Sequence, residues 1–171
     1  LSLFGLVFLS PLFIVLWFVG LLDNGSPLFF QKRVGRNLKS FLLIKFRTMP
    51  IKTKSAGTHL IKNIKFSLFG YFLRKTKLDE IPQLLNVLFG DMSIVGPRPC
   101  LLNQKKLIRE RKKRGVFKVR PGITGLAQII GVNMKTPTLL SKIDLKMINK
   151  MSLFYYFYYM YKTTLLIIRQ K

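Results

Sequence analysis

The sequence predicts a mainly helical α+β fold, with an N-terminal membrane helix, amphipathic helices at the membrane surface and one small β-hairpin. Three observations predict it. Residues 1–22 carry no charge and are almost wholly apolar. Two short β-prone stretches flank a glycine-containing turn at Gly35-Arg36-Asn37. The chain is also basic and aromatic at once, with 30 Lys+Arg against 6 Asp+Glu, a net charge of +24, 15 Phe and 6 Tyr.

That composition excludes several classes. A disordered polycation is poor in large apolar residues, whereas 49% of this chain is hydrophobic and its mean hydropathy is +0.27. Basic and apolar together suit a protein lying against an anionic membrane, and 171 residues are enough for one domain with a real core. A lone cysteine, Cys100, permits neither an internal disulfide nor a cysteine zinc cluster. The lone histidine, His59, permits no multi-histidine metal site.

As one helix, residues 1–22 would extend roughly 33 Å at 1.5 Å per residue, enough for a bilayer core. No small-residue cleavage signal follows them, so the run reads as a retained anchor. Proline in a helix interior forfeits one hydrogen bond and clashes with the preceding turn, so Ser10-Pro11 predicts a bend, with the serine hydroxyl free to satisfy a backbone group. Two geometries are compatible: a kinked span, which hydropathy alone favours, and a bent helix that enters and leaves on one face. The Lys/Arg excess that follows places the rest of the chain in the cytoplasm.

Residues 27–34 and 41–49 read as the two strands of the hairpin. Residues 50–65 form a Lys/Thr/Ser/Gly/Asn-rich connection, and between Gln31 and Lys77 there are 13 basic residues and no acid, a solvated or membrane-surface face. Leu84, Leu85, Val87 and Leu88 after Pro82 read as a short helix stopped by Gly90. Residues 105–120 hold nine basic residues against Glu110 and read as an amphipathic helix facing phosphates or headgroups. The Tyr- and Phe-rich run 153–168 suits either the headgroup level, where rings bury and hydroxyls stay wet, or a core helix closing the domain.

The scarcity of acid points to the chemistry. Of the six carboxylates (Asp23, Asp79, Glu80, Asp91, Glu110 and Asp144) three fall between 79 and 91. Asp79-Glu80 precedes the Pro82 helix, with Arg74, Lys75 and Lys77 just before it. A helix N-terminus and three cations favour an ionised carboxylate and a bound phosphate. Adjacent carboxylates can divide labour, one attacking phosphorus and the other holding Mg²⁺. They can equally be helix caps, with Thr76 assisting. Gly96-Pro97-Arg98-Pro99 and Arg120-Pro121-Gly122-Ile123-Thr124-Gly125 are stiff turns, each presenting an arginine suited to bidentate phosphate recognition or simply solvated.

Three blocks in order resemble the bacterial sugar transferase family, the monotopic phosphoglycosyl transferases: Lys-Phe-Arg-Thr-Met at 45–49, the run 73–99 around Leu78-Asp79-Glu80-Ile81-Pro82-Gln83-Leu84-Leu85-Asn86, and Arg120 to Gln128. Ser10-Pro11 and the segment 25–35 extend the resemblance over nearly the whole chain, whose size is similar to that of the short members. The resemblance implies a re-entrant helix at 1–22 turning at Ser10 and Pro11, and a membrane-associated catalytic domain at 23–171 on the cytoplasmic face of the inner membrane. It implies that Asp79 attacks the β-phosphorus of a UDP-sugar, releasing UMP, and that polyprenyl phosphate then takes the sugar phosphate. Glu80 would hold Mg²⁺. Arg74, Arg98, Arg120, Lys45 and Arg47 would contact substrate phosphates, and Asp144 would be a supporting carboxylate. UDP-sugar, polyprenyl phosphate and anionic lipids are then the expected partners, and no nucleic acid is expected. The chain departs from the family after Gln128, where Ile130-Gly131-Val132-Asn133 replaces an Asn-Gly-Arg-Asn run. The readings outside this class are a basic nucleic-acid-binding protein and a non-catalytic membrane-surface scaffold.

Overall fold

The computed structural model describes residues 2–51 and 66–169. Most of the basic connection at 50–65, with His59, lies outside the described residues. The chain forms two compact units, one of residues 1–31 and 42–85, the other of 32–41 and 86–171.

In the first unit, helix α1 (Ser2–Asn24) continues through Pro11. Ser10 Oγ donates a hydrogen bond of 2.8 Å to the Val7 carbonyl, the acceptor that Pro11 has no N–H to serve. The helix is long and apolar enough to cross a membrane, and most of its surface is exposed. One stripe is covered: Leu12, Phe13 and Leu16 pack with Leu28, Phe46, Phe69, Leu73, Leu78 and Ile81. Strands β1 (Leu28–Val34) and β2 (Ser40–Phe46) make the expected hairpin, whose base belongs to this unit.

Helix α2 (Leu68–Thr76) was not evident from the sequence. Ser67 caps it by accepting from the Gly70 N–H at 2.9 Å, and the same hydroxyl donates to Asp23 Oδ2 at 2.7 Å. Thr76 is not a cap for the carboxylates. Its hydroxyl donates back to the Phe72 carbonyl at 2.8 Å, within α2. Lys77 ends the helix in the left-handed conformation, with φ +61°.

In the second unit, the hairpin tip turns through Asn37 and Leu38, both left-handed. Its residues Arg33 and Val34 pair antiparallel with Leu101 and Cys100 of β4 (Cys100–Leu101). Strand β3 (Ser93–Val95) runs parallel to β5 (Gly122–Thr124), Ser93 opposite Gly122 and Val95 opposite Thr124. Helices α4 (Lys105–Lys113), α5 (Leu126–Ile129), α6 (Pro137–Asn149) and α7 (Leu153–Arg169) surround them. One apolar cluster joins Val34, Cys100, Leu107, Ala127 and Leu140. A second joins Val95, Met147 and Tyr159.

The aromatic C-terminal run closes the core along one face only. On α7, Tyr159 is buried and Tyr155, Tyr156 and Met160 pack against the second cluster, while Leu153, Phe154, Phe157, Tyr158 and Tyr161 are exposed. The basic helix is shorter than the predicted 105–120 and is not solvated all round. Leu107 and Arg111 are buried on it.

Candidate active site

The Asp79-Glu80 pair does not start the Pro82 helix. It sits in a separate 3-10 turn, Leu78–Glu80, between the left-handed Lys77 and the six-residue helix α3 (Gln83–Leu88). Pro82 lies ahead of α3 rather than in its first turn. The turn is pinned on both sides by its own apolar residues, since Leu78 and Ile81 pack into the cluster of Leu16, Phe46 and Leu73. That anchoring draws the intervening carboxylate inward, and Asp79 is 7% exposed.

Burial reverses the expected electrostatics. Asp79 is pushed up to about 6, first by loss of hydration and then by the neighbouring Glu80 charge. Lys45, Lys77 and Arg74 oppose the shift without cancelling it. Near neutral pH the carboxyl is mostly ionised but poorly stabilised, which is the condition of a reactive nucleophile. Its Oδ1 is buried and accepts no hydrogen bond from the described residues. Such an oxygen is normally satisfied, so it suits a partner outside the protein: phosphorus, or a cation.

Among the described residues, no group of three His, Cys, Asp or Glu side chains comes together. A Mg²⁺ ion held by one or two carboxylates and completed by substrate phosphates needs no such group. The orphaned Asp79 oxygen beside Glu80 fits that mode.

The other predicted contacts divide between the units. In the first, Lys45 and Arg74 are close enough to Asp79 to act on its charge; Lys45 also lies over the Phe29 ring and Arg74 over the Phe66 ring. Arg47 is engaged differently. Its guanidinium donates to the Ser26 carbonyl at 3.0 Å and the Leu28 carbonyl at 3.0 Å, tying the entry of β1 to the exit of β2.

In the second unit, the two arginine turns are locked to each other. Gly96 N donates to the Thr124 carbonyl at 2.8 Å, and Gly122 N to the Pro97 carbonyl at 3.0 Å. A methyl group on Gly96 would lie 2.7 Å from the Arg120 carbonyl oxygen, so only glycine permits this approach. The turns of Arg98 and Arg120 are thereby one rigid piece. The Arg120 guanidinium lies against Gly90, which takes φ +84°.

Asp144 is 1% exposed and ion-paired with Arg111, also 1% exposed, at 2.8 Å. A buried charge is tolerated only with such compensation. Sequence reasoning placed Arg111 only within a basic run, because its partner lies 33 residues away. Val132, where the family has arginine, packs partly buried against the Val34 cluster.

Comparison with known proteins follows the same lines. The family model described as bacterial sugar transferase matches residues 1–170. The chain is 49% identical over 113 residues to an uncharacterized sugar transferase, EpsL, of Bacillus subtilis (strain 168), covering 66% of this chain and 55% of that protein. It is 36% identical over 149 residues to the undecaprenyl-phosphate galactose phosphotransferase of Salmonella typhimurium (strain LT2), covering 77% and 31%. It is 40% identical over 139 residues to the UDP-glucose:undecaprenyl-phosphate glucose-1-phosphate transferase of Klebsiella pneumoniae, covering 78% and 30%. The chain thus spans about half the length of the first of these relatives and under a third of the other two.

The raised Asp79 carboxyl has a consequence for stability. A carboxyl that binds its proton more tightly folded than unfolded destabilises the fold once ionised, by on the order of 3 kcal/mol for a rise from 3.8 to about 6. The penalty is complete above about pH 6, shrinks as pH falls between those values, and is absent below them. Asp79→Asn should therefore melt higher than the native chain at pH 8 in EDTA, with the gap closing toward pH 4. A gap independent of pH would contradict the burial of an ionisable Asp79.

Proposed function

The chain belongs to the bacterial sugar transferase family, and on that premise we propose that it moves a sugar 1-phosphate from a UDP-sugar to polyprenyl phosphate. The substrates follow the names of its relatives, which specify undecaprenyl phosphate and UDP-glucose. The observation that carries the mechanism is the buried Asp79 carboxylate, with one oxygen that accepts no hydrogen bond from the described residues and a second carboxylate adjacent in sequence.

In this reading the Asp79 oxygen attacks the β-phosphorus of the UDP-sugar. The bond from that phosphorus to the bridging oxygen breaks, and UMP departs with the electron pair. The sugar phosphate is then an acyl phosphate on Asp79. An oxygen of polyprenyl phosphate attacks the same phosphorus, the bond to Asp79 breaks, and the carboxylate is regenerated as polyprenyl-diphosphate sugar forms. Poor hydration of Asp79 favours the attack, and the Lys45, Lys77 and Arg74 charges keep enough of it ionised. Arg98 and Arg120, held in their paired turns, supply guanidinium contacts to substrate phosphates. Glu80 would hold Mg²⁺, which neutralises phosphate oxygens when bound. The product is the lipid-linked first sugar of an exopolysaccharide or other surface glycan, made at the cytoplasmic face of the inner membrane.

The position of α1 supports entry from that face alone. A methyl group on Gly5 would lie 3.4 Å from Leu84 Cδ1, and one on Gly20 would lie 3.2 Å from Pro27 Cβ. Sites about 22 Å apart along the helix, from fifteen residues of rise, thus touch the same unit. We therefore favour a helix embedded from one side, bent at Ser10-Pro11, with both ends cytoplasmic and its exposed apolar face among acyl chains and anionic headgroups.

Two experiments test these readings. With Mg²⁺ and polyprenyl phosphate, a panel of UDP-sugars should include one that yields UMP, and Asp79→Asn should lower that rate at least about a thousandfold. Undiminished turnover in the variant would remove Asp79 from the mechanism. For topology, a thiol introduced by Ser2→Cys in the Cys100→Ser background should resist an impermeant maleimide applied outside the inner membrane, and react once the membrane is opened. Labelling in intact spheroplasts would indicate a span.

A further inference from the structure

The Pro97-Arg98-Pro99 turn is gripped through its backbone by two other arginines of the same unit. Arg111 Nη1 donates to the Arg98 carbonyl at 2.7 Å, and Arg33 Nη1 donates to the Pro99 carbonyl at 3.1 Å. Arg111 is itself fixed from behind, with Nε donating to Asp144 Oδ2 at 2.9 Å and Nη2 paired to the same oxygen at 2.8 Å. Its charge also lies close enough to the buried Cys100, just beyond the turn, to oppose the effect of burial on that thiol. Proline on each side of Arg98 fixes its neighbours' φ, and the two carbonyl contacts remove most of the remaining freedom.

We infer that Arg111, aligned by Asp144 and seconded by Arg33, is a positioning residue that fixes the backbone from which Arg98 reaches substrate phosphate. This rests on the proposed phosphate contact of Arg98. Asp144, in this account, supports the reaction through Arg111 and the Arg98 backbone. A guanidinium is the side chain this place demands, because one planar head must bond a carboxylate on one edge and a carbonyl on another. Lysine keeps the charge for Asp144 but cannot span both.

The test is a double-mutant cycle on UMP release, using Arg98→Ala, Arg111→Lys and their combination in the full chain with Mg²⁺ and polyprenyl phosphate, under the best UDP-sugar of the panel. Arg111→Lys should lower kcat/KM about tenfold or more, with the same division between kcat and KM as Arg98→Ala, while leaving the melting temperature close to native. In the Arg98→Ala background it should have no further effect. Effects that multiply, or an Arg111→Lys enzyme with native kinetics, would overturn the inference. Should Arg98→Ala itself leave UMP release unchanged while Asp79→Asn abolishes it, the Arg98 contact has failed and the positioning role falls with it. Should Arg111→Lys not fold, the same cycle is run with Arg33→Gln, which removes the second carbonyl contact without touching the Asp144 ion pair. A native Arg33→Gln would then count against the inference, and a loss that vanishes in the Arg98→Ala background would support it.

Discussion

Burying an ionisable carboxylate without satisfying it is the constraint around which the first unit is arranged. Asp79 loses its hydration because Leu78 and Ile81, on either side of the pair, are drawn into the cluster of Leu16, Phe46 and Leu73. Loss of hydration disfavours the charge, so cations must be supplied from several directions. They arrive from three elements: Lys45 from β2, Arg74 from α2 and Lys77 from the left-handed residue joining α2 to the turn. Each is placed by local chemistry that the carboxylate does not provide, including the Ser67 cap, the hairpin and the covered stripe of α1. The long apolar helix α1 is therefore part of the packing beneath the Asp79 turn.

The second unit solves a different problem, which is to hold arginines still. Guanidinium groups on flexible loops lose entropy on binding phosphate, and rigid turns incur that loss at folding instead. Here the glycine-to-glycine approach of the β3–β5 region fuses the two arginine turns, and the heads of buried Arg111 and half-buried Arg33 tie down the carbonyls of one of them. The scarce acids divide accordingly. Asp79 and Glu80 serve substrates in the proposed mechanism, and Asp144 is consumed inside the fold as the counter-charge of Arg111.

Much of this was legible in the sequence, and what was not has identifiable causes. The long apolar helix announced itself through 22 uncharged residues, and the Ser10 bond to the Val7 carbonyl follows from local geometry alone. The hairpin and the aromatic terminal helix followed from composition and turn chemistry. Helix α2 was hidden because its apolar residues, Leu68, Phe69, Phe72 and Leu73, sit in a short run next to a basic connection. The electrostatics of Asp79 went astray for a different reason. Sequence displays the flanking cations, but burial depends on distant chain segments and here outweighs them. The pairing of Arg111 with Asp144 is likewise invisible along the chain, since one of nine basic residues in a run carries no mark of its partner.

The central claim is a covalent bond between Asp79 and a sugar phosphate, and intact-protein mass measurement after rapid quenching tests it most directly. The native chain, given Mg²⁺ and its UDP-sugar without polyprenyl phosphate, should gain the mass of one sugar phosphate, mapping to the peptide that carries Asp79, as UMP appears in equal amount. Adding polyprenyl phosphate should discharge it. The account is contradicted if UMP forms only when polyprenyl phosphate is present and no adduct is ever seen, or if the adduct persists in Asp79→Asn.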